Sequence, residues 1–380
     1  MSLLVAVILP LSGSPLAACP FCTTLGPTIA QQCDRAEVAF LGELVEADGA
    51  SWKLRVYRII KGLADGETKR TIAIATDIAP VASGNRAPRP GTLLLALGAR
   101  RSATSPAKQS WTTIVLNEAS YAYVAQSPPL KTPVAERLGY FVRSLEHADP
   151  LIAEDACLEF GHAPFDQIAR LAGQLPIDRL RDWIDDDSVP PPRKGLYGLL
   201  LGLAAGEQGC PEIADDFWRW IGAPANDFRS GFDGILGGYL WVGQEAALRR
   251  LERRYLDRER AAIGDLRHLM TALRFYHDYG HGISAAELTK VYRRFLDRPA
   301  LAAAAMAVLA RWEDWASLER VTLLFGRPGY TDAATERALI GYLLACPLPE
   351  AHRQVARLRQ LVPERVAEAE RLELESDGKR

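Results

Sequence analysis

The feature that most constrains this fold is a change in the spacing of apolar residues just after Gln126. Before that point, apolar and polar residues alternate, as in Trp52–Ile59, which is the period of a strand with one buried face. From Pro133 onward, apolar residues recur every three or four positions, which is the period of amphipathic helices. Residues 127–133 contain three prolines. We therefore interpret them as a linker between two domains of different secondary structure.

The first domain, residues 19–126, is predicted to be a small antiparallel β-barrel. Alternating segments bounded by turn residues predict strands at Val38–Val45, Trp52–Ile59, Thr71–Ala75, Thr92–Leu97, Thr112–Asn117 and Tyr121–Gln126. No helix is expected between most of these strands. Five or six short strands in such a row favour a closed or nearly closed antiparallel barrel.

The second domain, residues 134–375, is predicted to be a stack of helical hairpins, followed by a polar tail at 376–380. Proline fits the first turn of a helix, where its missing N–H costs nothing. On this basis helices are expected to open at Pro150, within Val189–Pro192, at Pro299, within Pro347–Glu350 and at Pro363. Short links between helices make neighbours antiparallel, and no strict repeat period is visible. The pattern is therefore that of a HEAT-like α-solenoid, and the whole chain is placed in the α+β class.

Charge and hydropathy exclude several partners. The formal net charge is −2, which gives no general attraction to nucleic acid. The basic run Arg249–Arg254 is interpreted as the solvated face of a helix. After the first residues, no apolar run approaches the ~18 residues that a membrane-spanning helix needs, so no transmembrane helix is expected in the mature chain.

Residues 1–18 are predicted to be a signal peptide. The apolar stretch Leu3–Leu11 is too short to span a bilayer and is followed by small and turn-forming residues. We therefore expect an exported protein that is periplasmic, attached to the cell envelope or extracellular. No lysine or arginine precedes Arg35, so either the amine of Met1 supplies the leader charge or the natural start lies upstream. Leu16–Cys19 is also similar to a bacterial lipobox, in which Cys19 would carry a lipid that tethers the chain to a membrane.

Several motifs give the chain a family resemblance. They are Cys19–Cys22, Leu41–Leu44, Tyr57–Gly62, Asp149–Phe160, Val189–Gly202, Ala310–Trp315 and Tyr342–Pro349. With these motifs the chain resembles a group of secreted, functionally uncharacterised bacterial proteins typical of planctomycetes. The strand pattern that ends in Lys61-Gly62 also resembles the OB-like barrel of netrin and metalloproteinase-inhibitor (NTR-like) domains. These resemblances imply an architecture, an OB/NTR-like barrel before a helical domain, and they imply no activity.

The Cys19-Pro20-Phe21-Cys22 motif is the sharpest chemical signal in the sequence. Two thiols at this spacing can form a reducible disulfide, bind a soft metal or hold a reactive thiolate. In an oxidising compartment a structural disulfide is favoured, either Cys19–Cys22 or Cys22–Cys33. If Cys19 is lipidated, Cys22–Cys33 is the natural remaining pair. The isolated cysteines farther along are expected to be small core residues: Cys157, Cys210 and Cys346.

Asp155 and Glu159 lie one helical turn apart on an otherwise apolar face. With Arg193 they are predicted to form a structural ion-pair network between helices; hydrolysis by paired carboxylates is the alternative. His277 and His281 have the spacing of two metal ligands on one helix face, but Gly280 favours a helix end at that point.

The sequence contains no P-loop, Gly-x-Ser-x-Gly, dinucleotide or zinc-protease motif. We therefore expect a non-catalytic protein without a cofactor, whose helical repeats present a surface to another protein or peptide. Trp218, Trp220 and Trp241 are candidates for that surface. The alternative is a thiol–disulfide or soft-metal protein acting through Cys19 and Cys22.

Overall fold

The computed structural model describes residues 26–48, 51–64, 68–75, 88–100, 109–224, 229–258 and 261–377. The predicted signal peptide and the Cys19–Cys22 motif lie outside the described residues. The chain divides into two compact units, Met1–Leu175 and Pro176–Arg380. The first unit holds the strands and the second is helical, so the predicted α+β class is confirmed.

The first unit contains a five-stranded antiparallel sheet in the spatial order β3-β2-β1-β4-β5. Its strands are β1 Val38–Asp48, β2 Ser51–Lys61, β3 Thr71–Ala75, β4 Leu93–Arg100 and β5 Gln109–Leu116. Alternate side chains point to one face and form an apolar core: Phe40, Leu44, Trp52, Leu54, Val56, Ile74, Leu94, Ala96 and Trp111. The expected alternation of buried and exposed residues is present in β2 and β3, whereas β1 and β4 are buried on both faces, because Leu41 and Leu95 are as buried as their neighbours Phe40 and Leu94.

The predicted sixth strand, Tyr121–Gln126, is wrong because this segment belongs to helix α2, Glu118–Gln126. Asn117 and Ser120 form a reciprocal capping box that satisfies free N–H groups at the helix start. This local cap opposes the alternating pattern of aromatic residues that follows. The other helices of the first unit are α1 Ile29–Arg35, α3 Val134–Phe141, α4 Pro150–His162 and α5 Phe165–Ala169. The predicted linker 127–133 joins α2 to α3 inside this unit.

The second unit consists of helices joined by short turns. They are α6 Ile177–Asp185, α7 Pro191–Gln208, α8 Ile213–Gly222, α9 Phe232–Leu251, α10 Ile263–Tyr279, α11 Ala285–Tyr292, α12 Pro299–Arg311, α13 Leu318–Thr322, α14 Ala333–Ala345, α15 Pro349–Leu361 and α16 Pro363–Asp377. All five helix starts predicted from proline are confirmed. Helix α16 extends two residues into the predicted polar tail. None of the helices in the described parts of the chain has the length and apolar character needed to cross a membrane.

Glycines form the contact between α7 and α9. Gly195, Gly198 and Gly202 of α7 face Gly231, Gly234 and Gly238 at the start of and along α9. A Cβ added at Gly202 would lie 2.5 Å from the Cα of Gly238, well inside normal contact distance. The two backbones therefore touch directly, which fixes how closely these helices pack.

Candidate functional site

Asp155 is a buried carboxylate in the middle of α4 that binds the first helix of the described chain. Asp149 caps α4 by accepting from the N–H of Leu151, and Pro150 occupies its first turn. One turn and a half farther on, Asp155 accepts hydrogen bonds from the N–H of Ile29 at 2.6 Å and from the hydroxyl of Tyr123 at 2.8 Å. Its carboxylate thus joins α1, α2 and α4.

Glu159 forms a separate buried ion pair with Arg137 of α3. Both side chains are buried, and within the described chain no group hydrogen-bonds the second oxygen of Glu159 or the Nε of Arg137. Glu159 is thus paired with Arg137, which the sequence did not single out, and Asp155 is not part of this ion pair. Arg193 opens α7 in the second unit, and its place in the network stays a prediction.

Burial controls the proton affinities at this site. Desolvation raises the pKa of Asp155 to about 6, although the hydrogen bonds from Ile29 and Tyr123 oppose that rise. Burial and the nearby charge of Asp155 raise the pKa of the Tyr123 hydroxyl. Burial, with a smaller contribution from Asp155, raises the pKa of the Cys33 thiol to about 12. Cys33 is therefore protonated at neutral pH and is a poor nucleophile.

A cavity of about 320 Å³ opens beside these residues, within the first unit. Asp155 and Cys33 line it, together with apolar side chains from α1, β2, α2 and α3 and the segment after α2. Its other lining residues include Ile29, Ile59, Val124, Leu130 and Phe141. Arg58 and Lys61 also line it, and both are exposed. The cavity combines apolar walls, one buried acid and a basic rim.

The cysteines contribute one buried thiol to this cavity and isolated thiols elsewhere. Cys19 and Cys22 lie outside the described residues, so their pairing, metal binding and lipidation stay predictions. Cys33 is a free, buried thiol. Cys346 is also free and is fully buried as expected, whereas Cys157 and Cys210 are half-buried.

The two histidines with metal-ligand spacing face different partners. Helix α10 ends at Tyr279, so Gly280 lies after the helix end, as its position suggested. The ring of His277 stacks on Trp312 with centroids 3.8 Å apart, whereas His281 packs edge-on against Trp241. Across the described ranges, no group of three or more His, Cys, Asp or Glu side chains has an arrangement that would hold a metal ion.

The tryptophans proposed for a binding surface have different environments. Trp241 is buried against Phe275 and Tyr276, so it is a core residue and not part of a surface groove. Trp218 is half-buried beneath Arg250, whose guanidinium lies 3.9 Å from the ring centroid. Trp220 donates to Asp185 at 2.7 Å. Each of the three indole side chains therefore already contacts another residue of the second unit.

Among the described residues, the most exposed large apolar side chains lie in or next to α13 and α15 of the second unit. Leu323, just after α13, is 69% exposed, and Leu361, at the end of α15, is 58% exposed. Two cavities of about 440 and 160 Å³ lie beside them and share Thr322 and Gln354 as lining residues. We call this surface the α13–α15 groove. Its other lining residues are Trp315, Ala316, Leu318, Glu319, Phe325, Leu339, Leu343, Glu350, Arg357 and Leu358. No sequence motif marks this groove, because its residues come from several helices and the exposure of Leu323 and Leu361 depends on how those helices pack.

Comparison with known proteins identifies no family. No family model and no curated protein matches the chain. A solved structure of human deoxyhypusine hydroxylase in complex with glycerol is 13% identical with a TM-score of 0.28, covering 69% of this chain and 97% of that one. A TM-score of this size does not indicate a shared fold.

Proposed function

We propose that this chain is an exported, non-catalytic binding protein that docks an amphipathic helix of another protein in the α13–α15 groove. The observation that carries this function is the exposure of Leu323 and Leu361, each of which lines one of two adjoining cavities. Large side chains exposed next to concave apolar surface mark interaction sites more often than isolated exposed leucines do.

The shape of the groove supports a helix as the occupant. Two cavities that share Thr322 and Gln354 provide adjacent positions for apolar side chains. An amphipathic helix presents such side chains on one face, one or two turns apart. A single extended strand would instead need an exposed sheet edge to pair with, and the groove is built from helices.

The charges at the rim indicate the orientation of that helix. Glu319 lines the larger cavity and Arg357 lines the smaller one. Glu350 also lines the larger cavity but is already paired with Arg353. A complementary helix carries a lysine or arginine beside the larger cavity and an acidic residue beside the smaller one. We therefore infer an apolar helix face flanked by one basic and one acidic end.

The test uses a synthetic fluorescent peptide with that pattern and a second peptide in which the basic and acidic residues are exchanged. We expect the first peptide to bind the full chain at least several-fold more tightly than the exchanged one. Leu323→Glu and Leu361→Glu should each abolish binding. Leu372→Glu is the matched control, because Leu372 is also exposed but lines neither cavity.

Two results would contradict this function. Equal binding of both peptides by the parent chain and by Leu323→Glu would show that the groove does not select a helix. Concentration-dependent dimerisation that Leu323→Glu abolishes, measured by sedimentation, would show that a second copy of the chain covers the groove.

The finer architecture and the export of the chain belong to the same proposal. A HEAT-like arrangement of the second unit is supported by the packing of α14, α15 and α16 on one another. An OB/NTR-like barrel is supported by the edge strands β3 and β5, whose Cα atoms approach within 8 Å. Export rests on the leader, residues 1–18.

Export and the role of the cysteines are tested together on protein recovered from the cell envelope. Mass and N-terminal sequence show whether the mature chain begins at Cys19 and whether that residue carries a lipid. A blocked, lipidated Cys19 would exclude the Cys19–Cys22 dithiol. A pair that reductant opens readily, or copper or zinc bound by Cys19 and Cys22, would favour the thiol or soft-metal function instead. An intact leader on all of the protein would contradict export.

A further inference from the structure

We propose that the cavity of the first unit binds a small ligand with a primary ammonium group on an apolar body, and that Asp155 is the charge partner of that group. This site is separate from the α13–α15 groove, because every residue that lines it belongs to the first unit.

The size and walls of the cavity suit a small apolar body. Its volume of about 320 Å³ is at the lower end of the range of ligand sites. Ile29, Ile59, Val124, Leu130 and Phe141 supply apolar contacts on several sides.

The carboxylate of Asp155 supplies an unbalanced buried charge. Asp155 is 4% exposed, and both of its hydrogen-bond donors, the N–H of Ile29 and the hydroxyl of Tyr123, are uncharged. Arg137 lies close enough to interact electrostatically but forms its ion pair with Glu159. In the described part of the chain, Asp155 has no ion pair with a cationic side chain.

A ligand ammonium would balance this charge. A buried carboxylate without a cationic partner is costly, and an ammonium beside it recovers much of that cost. Each carboxylate oxygen of Asp155 accepts one protein hydrogen bond and retains a second lone pair. The charged and titratable groups around Asp155 and along the cavity are Cys33 and Asp34 of α1, Arg58 and Lys61 of β2, Tyr123 of α2, Arg137 and Tyr140 of α3, and Glu159 of α4.

The rival occupant is an apolar carboxylate held by the basic rim. Lys61, however, already interacts with Asp34, with 3.9 Å between Nζ and the carboxylate oxygen. Arg58 is exposed, so salt screens its attraction for an anion. The buried negative charge acts in a medium of lower polarity, where the same charge interacts more strongly. The observations therefore favour the ammonium.

Two probes with the same apolar body separate these ligands: hexylamine and hexanoate, each titrated into the full chain by calorimetry. At pH 7.5 we expect hexylamine to bind and hexanoate not to bind. At pH 5 we expect hexylamine to bind about tenfold more weakly, because Asp155, with a pKa of about 6, is then mostly protonated. Hexanoate that binds as well as hexylamine, or hexylamine affinity that is independent of pH, would overturn the proposal.

Variants test the site directly. Asp155→Asn should abolish hexylamine binding, with folding checked by circular dichroism. Because Asp155 also binds α1, a second variant, Ala125→Leu, fills the cavity and leaves that carboxylate in place. Ala122→Leu is its control, since Ala122 lies on the same helix and does not line the cavity. Loss of binding in Ala125→Leu alone supports the site, and unchanged binding in Ala125→Leu places the ligand elsewhere.

Discussion

Replacing Gly202 by alanine tests how the second unit is held together. The added Cβ would lie 2.5 Å from the Cα, 2.7 Å from the carbonyl oxygen and 2.9 Å from the carbonyl carbon of Gly238. Non-bonded carbon atoms normally approach to about 3.5–4.0 Å, so the backbones of α7 and α9 would have to separate by roughly 1 Å. All three clashing atoms are backbone atoms, and no side-chain rotation can relieve the clash.

The expected change in the free energy of unfolding is the difference between two effects of the added methyl group. Overpacking a rigid contact costs ~1–3 kcal/mol, and the upper part of that range applies where both surfaces are backbone. Alanine in a helix interior regains about 1 kcal/mol relative to glycine. We therefore expect Gly202→Ala to lower the free energy of unfolding by about 2 kcal/mol. For a domain of this size that corresponds to a fall in Tm of roughly 4–8 °C.

Thermal and urea unfolding of the full chain, followed by far-ultraviolet circular dichroism, measure this effect. Gly222→Ala is the matched control, because Gly222 ends α8 in the same unit and a Cβ there would meet no atom within 4 Å. That control should be neutral or slightly stabilising. If Gly202→Ala is as stable as the parent chain or more stable, direct backbone contact does not fix the packing of α7 on α9.

Two further predictions concern backbone strain and pH. Gln244 has φ 45° and ψ −129°, a region that essentially only glycine visits, so Gln244→Gly should stabilise the chain by about 1 kcal/mol. Glu245→Gly, one residue farther on, should instead destabilise the chain by a similar amount. Equal effects of the two substitutions on urea unfolding would show that the backbone at Gln244 is not strained. Because burial raises the pKa of Asp155 to about 6 from an ordinary value near 4, its contribution to stability is fully present below pH 4 and is lost as the pH rises through 6. A shift of this size corresponds to about 3 kcal/mol between the two limits. The stability difference between the parent chain and Asp155→Asn should therefore change with pH over this window, and a constant difference would contradict the raised pKa.

Local sequence patterns predicted strands and helix starts correctly where a single signal, such as apolar alternation or a proline, was present. Strands β2 and β3 alternate buried and exposed residues because one of their faces is solvated, whereas the central strands β1 and β4 bury both faces. Proline at the first turn located five helix starts, since its fixed backbone angle suits that position. The prediction failed at Tyr121–Gln126, where alternating aromatic residues follow a helix cap at Asn117. In that segment the capping hydrogen bonds, and not the side-chain alternation, determine the backbone.

The cavity shows why sites were harder to predict than elements. Asp155 and Glu159 were recognised from their spacing on an apolar face, but their partners come from three other helices. Arg137 lies 22 residues before Glu159, and no local pattern distinguishes it from the other arginines of the chain. Ile29 contributes a backbone N–H, which every residue except proline also carries. The glycine contact differs, because Gly195, Gly198 and Gly202 repeat the three- and four-residue spacing of Gly231, Gly234 and Gly238. That matched spacing can be read from sequence, whereas the uncompensated charge of Asp155 depends on which groups the fold brings to it.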